Sequence, residues 1–292
     1  MPPPTITELQ KLARKRGKVL RESEDGLMNK AKSQERKLNN YLLNSFIPSL
    51  QIDSVTNTFR ATSANLKKVN SATGIKRFIK KVVNTFMNDY YVSQFVKVGK
   101  RTNNYFNKFN PTAAAAEKIN NRGLETLDGF LNNLFDNNQI TRSIQNTLRK
   151  AVQSRQNVAE LKKVVTEQVK GKTKKLGLVS SYHYREGRDQ FQEYARGLDD
   201  DFSKALKLNY AIYAGGTIED TREFCLARNG KVFNRETILG WNEKPQNWQG
   251  RKENNNILID MGGYNCRHDF DWISYQLAKR IDKEIEKSIY DK

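Results

Sequence analysis

The sequence predicts a mainly α fold: an elongated, basic, helical N-terminal region over residues 1–208, followed by a small α+β C-terminal domain over 209–292. Three observations predict it. Apolar residues recur at helical spacing through much of the first 208 positions, with polar faces between them. Charge is unevenly placed: the net charge is +19, and residues 1–208 hold 38 Lys and Arg against 19 Asp and Glu, whereas 209–292 hold 13 of each. Near 208 the helical periodicity also gives way to short alternating segments bounded by glycine. Hydrophobic residues make up 37% of the chain and charged residues 28%, so the core is a thin one.

The elements follow in order. The prolines at 2–4 force an extended start. Thr5 or Thr7 caps a helix with Glu8 in its first turn, running to about Leu43 and stopped by Pro48. Lys11, Arg14, Lys15, Arg16 and Lys18 crowd its first half. Residues 51–74, rich in Ser, Thr and Asn, read as an irregular connector. Ile75, Phe78, Ile79, Val82, Val83, Phe86 and Tyr90 then fall on one helical face, with Lys76, Arg77, Lys80 and Lys81 on the other. "NPTAAAAEKI" (110–119) opens another helix, whose continuation Gly123 and Gly129 weaken. Ile140, Ile144 and Leu148, then Val158, Leu161, Val165 and Val169, give two helices parted near 155–157. "GKTKK" (171–175) is a basic link, and a helix runs from about Leu176 to Lys207.

Beyond 208, "LNYAIYAGG" (208–216) reads as a strand ended by a double glycine. "EDTREFCLARNG" (219–230) is a short helix that Asp220 caps and Gly230 stops. "KVF" is a strand, "NRETILGW" a helical turn, 242–256 a polar loop holding Trp248, and "ILID" (257–260) a strand. A turn over "MGGYNCRH" leads to a last helix from Phe270 to Tyr290.

Two cysteines in 292 residues argue against a disulfide framework and for a reducing compartment. The start "MPPPTITELQKLARKRGK" has no apolar signal-type stretch, and no run of about 18 apolar residues spans a membrane. The polycationic part calls for an anionic partner, and duplex DNA is the favoured one, because each phosphate contact releases counterions. The expected contacts are Lys11, Arg14, Lys15, Arg16, Lys18, Lys76, Arg77, Lys80, Lys81, Lys172, Lys174 and Lys175; a merely solvated face is the alternative. No phosphate-cradling glycine loop followed by Lys-Ser or Lys-Thr occurs, and no helix-turn-helix or His-centred nuclease pattern. "LDDDF" (198–202) is the one acidic cluster, so an enzyme is not expected.

Three of the four Cys and His residues lie in two stretches, "TREFCLARNGKVF" (221–233) and "GGYNCRHDFDWI" (262–273). For Cys225, Cys266 and His268 three readings stand open. A Cys–His pair can act as nucleophile and base, but Cys266 and His268 are two apart on a turn. A closed zinc site needs a fourth ligand, with His183 or Asp269 as candidates. An apolar clasp, closing to a disulfide outside the reducing cytoplasm, is the preferred reading. No cofactor is expected beyond the zinc alternative. Trp241, Trp248 and Trp272 all fall in this part: core packing is the default for them, with partner anchoring the alternative for Trp248.

A strand followed by Asp220, Arg222, Cys225, Arg228, Gly230, Lys231, Val232 and Phe233, then a Trp-containing loop, then Asn265, Cys266, Arg267 and His268, resembles the C-terminal domain of phage Mu F-like minor head (head morphogenesis) proteins. The stretch 181–197 stands where that family places a helix with an Ala-Arg-Thr-Glu-like start. The resemblance concentrates in 180–275. Tyr264 stands where the family often has a histidine, and His268 where its motif ends in cysteine. The resemblance implies a virion structural protein, assembled in the host cytoplasm and present in several copies around the portal. Such a protein contacts the portal protein, other head proteins and DNA, and acts in head morphogenesis and genome packaging or delivery. Asp220, Arg222, Arg228, Gly230, Asn265 and Arg267 would be structural. A nucleic-acid-processing enzyme or toxin delivered with the genome is the alternative.

Overall fold

The computed structural model describes residues 3–291 except 137, 188, 244–247 and 249. It is mainly α, with a three-stranded sheet in its C-terminal part. The chain forms two compact units that do not part at the expected boundary of 208. The first comprises residues 1–23, 94–128 and 189–292; the second comprises 24–93 and 129–188. The charge break marks a change of surface composition, whereas a compact unit is set by which faces pack. In the first unit one core joins Leu9, Tyr105, Phe106, Ile119 and Phe202 from helices to Tyr213, Phe270 and Trp272 from strands.

Helix α1 (Ile6–Tyr41) opens with a reciprocal cap: the Thr5 hydroxyl accepts from Glu8 N at 3.2 Å, and the Glu8 carboxylate accepts from Thr5 N at 3.0 Å. It buries Leu9, Arg16 and Leu20 in the first unit and Leu27, Ala31, Glu35 and Leu38 in the second. A wider π turn over Leu42–Phe46 and a 3-10 turn over Ile47–Ser49 carrying Pro48 end it.

The expected connector 51–74 is ordered. Strands β1 (Ile52–Asp53) and β2 (Thr58–Phe59) form a hairpin, and α2 (Ser63–Ser71) starts where the Thr62 side chain accepts from Asn65 N at 3.2 Å. Polar capping and turn residues concealed these short elements. Helix α3 (Thr73–Phe78), a π segment (Ile79–Asn84) and α4 (Thr85–Phe106) follow. Their buried stripe is Ile75, Ile79, Val83, Met87 and Tyr91, spaced by four. A regular α-helix would rotate such a stripe off its face, and the wider i→i+5 turn brings it back.

Helix α5 (Ala113–Asp136) runs through both of its glycines. A Cβ at Gly123 would stand 2.9 Å from Leu198, so the residue permits a close helix approach. Helices α6 (Gln139–Gln153) and α7 (Val158–Lys170) part where expected. The basic link is a tight hairpin, β3 (Gly171–Lys172) with β4 (Lys175–Leu176), which Gly171 permits at φ 80°. The single helix expected over 176–207 is two, α8 (Leu178–Glu186) and α9 (Gln190–Ala205), separated at Gly187.

The sheet has the order β6–β5–β7, all antiparallel: β5 (Tyr210–Gly215) is central, flanked by β6 (Val232–Asn234) and β7 (His268–Ile273). Between them lie α10 (Glu223–Leu226), α11 (Arg235–Glu243) and α12 (Ile257–Asp260), and α13 (Tyr275–Ile281) follows. Two expectations fail here. "ILID" is a helical turn, because the Asn256 side chain caps it by accepting from Leu258 N at 3.1 Å. The last helix begins at Tyr275, since 268–273 is a strand buried along its whole length. Asp269 and Asp271 are buried against arginines, so the alternation of β7 does not separate a wet face from a dry one.

Candidate functional site

Strand β5 places Tyr213 in the first unit's core, and the register sets the half-buried Gly215 opposite His268. Cys225 stands on α10 and Cys266 at the end of the loop entering β7. The two sulfurs and a ring nitrogen of His268 all lie within 4.8 Å of one another. Cys266 Sγ is 3.9 Å from His268 Nδ1, and the Tyr213 hydroxyl donates to Cys225 Sγ at 3.2 Å. The Tyr213 ring stacks on His268 with centroids 5.1 Å apart. Both cysteines are free thiols, and all three residues are buried. The convergence expected of the two stretches is therefore present.

Two glycines make room for it. A Cβ at Gly262 would stand 2.5 Å from Cys225 Sγ and 3.1 Å from Cys266 Sγ, and one at Gly215 would stand 2.6 Å from the His268 ring. The thiols are electrostatically unequal. The Cys225 thiol, then His268 and the Arg196 guanidinium, hold the Cys266 thiol well below the usual range against the opposing effect of burial. The same contact and burial push Cys225 upward.

Arg196, on α9, organises the loop. Its guanidinium donates to the carbonyl oxygens of Cys266, His268 and Ile259, each at 2.8 Å, and pairs with Asp269 at 3.3 Å. It was not singled out in the sequence, although Gln192, Arg196, Asp199 and Ser203 form a polar stripe at helical spacing in that helix, all buried. The fork geometry of arginine suits several carbonyls at once.

The other motif residues take structural places. Arg222 donates to the Tyr264 carbonyl at 2.6 Å, and Arg267 pairs with Asp189 at 3.2 Å. Asn265 adopts φ 57° and donates its backbone N–H to Asp189 at 3.1 Å. Arg228 lies over Phe224 at 3.8 Å and over Trp241 at 4.5 Å. Trp248 donates to the Gly262 carbonyl at 2.9 Å and stacks on Phe224, which makes it a packing residue. Asp220 is exposed and does not cap α10, whose N-cap position is Arg222. Gly230 does turn the chain, at φ 79°, but α10 has already ended at Leu226.

Neither proposed fourth ligand joins the cluster. His183 belongs to the second unit, where its Nδ1 meets the Tyr91 hydroxyl at 3.1 Å and burial pushes its pKa down to about 3. Asp269 is engaged by Arg196.

Among the expected DNA contacts, Lys11, Arg14, Lys15, Lys18, Lys76, Arg77, Lys80, Lys81, Lys172, Lys174 and Lys175 are exposed. Arg16 is not: it is 1% exposed and pairs with Asp199 at 2.7 Å and Asp271 at 3.0 Å. It faces the apolar stripe of α1, where two carboxylates offset the cost of its burial. In the second unit Lys172, Lys174 and Lys175 line a cavity of about 570 Å³ together with Lys32, Arg36 and Lys170. Lys32 and Arg36 come from α1, far from the link in sequence, and Lys170 ends α7 directly before it. Glu35 floors that cavity; it is buried and accepts from Ser180 N at 2.7 Å at the start of α8. No helix among the described residues is long and apolar enough to cross a membrane.

Comparison of the chain with protein-family models, with curated proteins and with solved structures gives no match.

Proposed function

We propose that the protein is a phage minor head protein. In this reading it is a structural component of the virion, associated with the portal and other head proteins. It acts in head morphogenesis and in genome packaging or delivery, and it touches double-stranded DNA without reading its sequence. The observation that carries the DNA contact is the cavity of the second unit. Six cationic side chains converge on it from α1, α7 and the β3–β4 hairpin, and Glu35, the one acid among its lining residues, is engaged in capping α8. Closely placed cations with no base-reading element suit a phosphate backbone. The virion role is supported by the motif of residues 220–233 and 265–268. Its Cys and His residues are buried in packing and in a hydrogen-bonded loop, an arrangement suited to a structural module more than to an open catalytic cleft.

Two measurements test the reading. Quantifying the protein in purified phage particles should find several copies per portal vertex; its absence from particles removes the virion role. Filter binding of duplex DNA by the full chain should fall steeply with salt, by a logarithmic slope of about 0.9 for each phosphate contacted. The Lys172→Glu, Lys174→Glu, Lys175→Glu triple variant should lower that slope by about 2–3. A flat slope in the unaltered chain removes the DNA contact.

A further inference from the structure

We propose that Cys225, Cys266 and His268 bind a thiophilic d10 metal ion, zinc, in the core of the first unit. Three observations point to it. The first is size. Zinc holds sulfur at about 2.3 Å and imidazole nitrogen at about 2.0–2.1 Å, so donors around one tetrahedral ion stand roughly 3.5–3.8 Å apart. The Cys266 sulfur and His268 Nδ1 are 3.9 Å apart, and all three donors fit within 4.8 Å of one another. A contraction of a few tenths of an ångström on the Cys266–His268 edge, and of about 1 Å at most on any other, closes the set.

The second is convergence. Cys225 comes from a helix distant in sequence from the loop and strand that carry Cys266 and His268, and glycines at 215 and 262 admit the three donors to one point. Packing of small apolar side chains alone would not require an imidazole there. The third is chemistry. Two thiols and an imidazole are the donor types that zinc prefers. Binding releases the thiol protons to solvent and sets two thiolates and a neutral imidazole on a dication, leaving no net charge in the core. The Tyr213 hydroxyl, 3.2 Å from Cys225 Sγ, offers an oxygen for the fourth position. Arg196 holds the Cys266 and His268 carbonyls and so orients two of the three donors from outside the set.

Because the chain has only two cysteines, any thiolate–metal signal reports this site alone. The full chain, reduced and stripped with chelator, is titrated with Zn²⁺ and separately with Co²⁺. The expected result is one ion per chain and a thiolate-to-cobalt charge-transfer band that Zn²⁺ displaces. Both cysteines should be protected from alkylation when zinc is bound, and the melting temperature should rise. Cys225→Ser should remove about half of the band, since one of two thiolates is lost, and His183→Gln should leave it intact. A folded, reduced wild-type chain that takes up neither ion overturns the proposal without reference to any variant. So does alkylation of both cysteines at the same rate with and without zinc.

Discussion

Gly262 lies against Cys225 so closely that a Cβ at 262 would stand 2.5 Å from the Cys225 sulfur. The other sulfur, of Cys266, would be 3.1 Å from the same point. The spacing between the two stretches of the motif is thus set by a residue that carries no chemistry. Neither sulfur can retreat easily: Tyr213 holds Cys225, and Arg196 fixes the Cys266 carbonyl. Gly262→Ala should therefore overpack the cluster and lower the unfolding free energy by about 1–3 kcal/mol. Gly240→Ala, in α11 with open space where its Cβ would stand, should raise it by up to about 1 kcal/mol. Chemical denaturation of the two variants checks both signs. Equal effects would mean that Gly262 is not what sets the spacing.

Arg196 answers three carbonyls and a carboxylate in the interior. Arg196→Ala leaves Asp269 as a buried charge without that partner and strips the loop of its anchor. The expected cost is about 3–5 kcal/mol, seen as loss of soluble protein or a large fall in melting temperature. Arg196→Lys keeps the charge but loses the fork, so it should recover only part of that stability. A lysine variant as stable as the parent would show that charge alone matters there.

The pairs around Arg16 make stability depend on pH. One guanidinium faces Asp199 and Asp271, with Asp269 and Arg196 nearby. Burial is the largest influence and pushes Asp199 up to about 8 and Asp271 up to about 7, against the opposing pull of Arg16. Asp199 Oδ1 is taken by Arg16, and Oδ2 has no hydrogen-bond partner among the described residues. The folded chain holds protons that the unfolded chain releases near the ordinary carboxylate pKa of about 3.9. This contribution to stability is complete below that value and is lost as pH rises toward 8. Melting temperature should fall between about pH 4 and pH 8, and Asp199→Asn should remove about half of the slope by fixing a neutral group there, with Asp271 supplying the rest. A variant with an unchanged slope would assign the titration elsewhere.

Much of the candidate site was legible because it is written in local chemistry. The scarcity of Cys and His made their clustering visible, and the motif of 220–233 and 265–268 named the residues that converge. Tyr213, Gly215, Arg196 and Gly262 were not legible as partners. Each matters through what stands opposite it, and that depends on the register of β5 with β7 and on the placement of α9.

The sequence by itself determined the mainly α character, the paired helices over 140–170, the strand at 210 and the charge asymmetry, because each follows from periodicity or counting over neighbouring residues. The tertiary structure alone decided which charges are wet. Arg16 and Lys15 are adjacent in a run of cations, yet one is buried against two carboxylates and the other is exposed. It also decided that 268–273 is a strand and that the first 23 residues belong with the last hundred. The physical reason is common to these cases. A buried ion pair conceals a polar residue on a core-facing position, so the pattern of apolar and polar residues no longer tells inside from outside, and only the arrival of the partner from a distant segment resolves it.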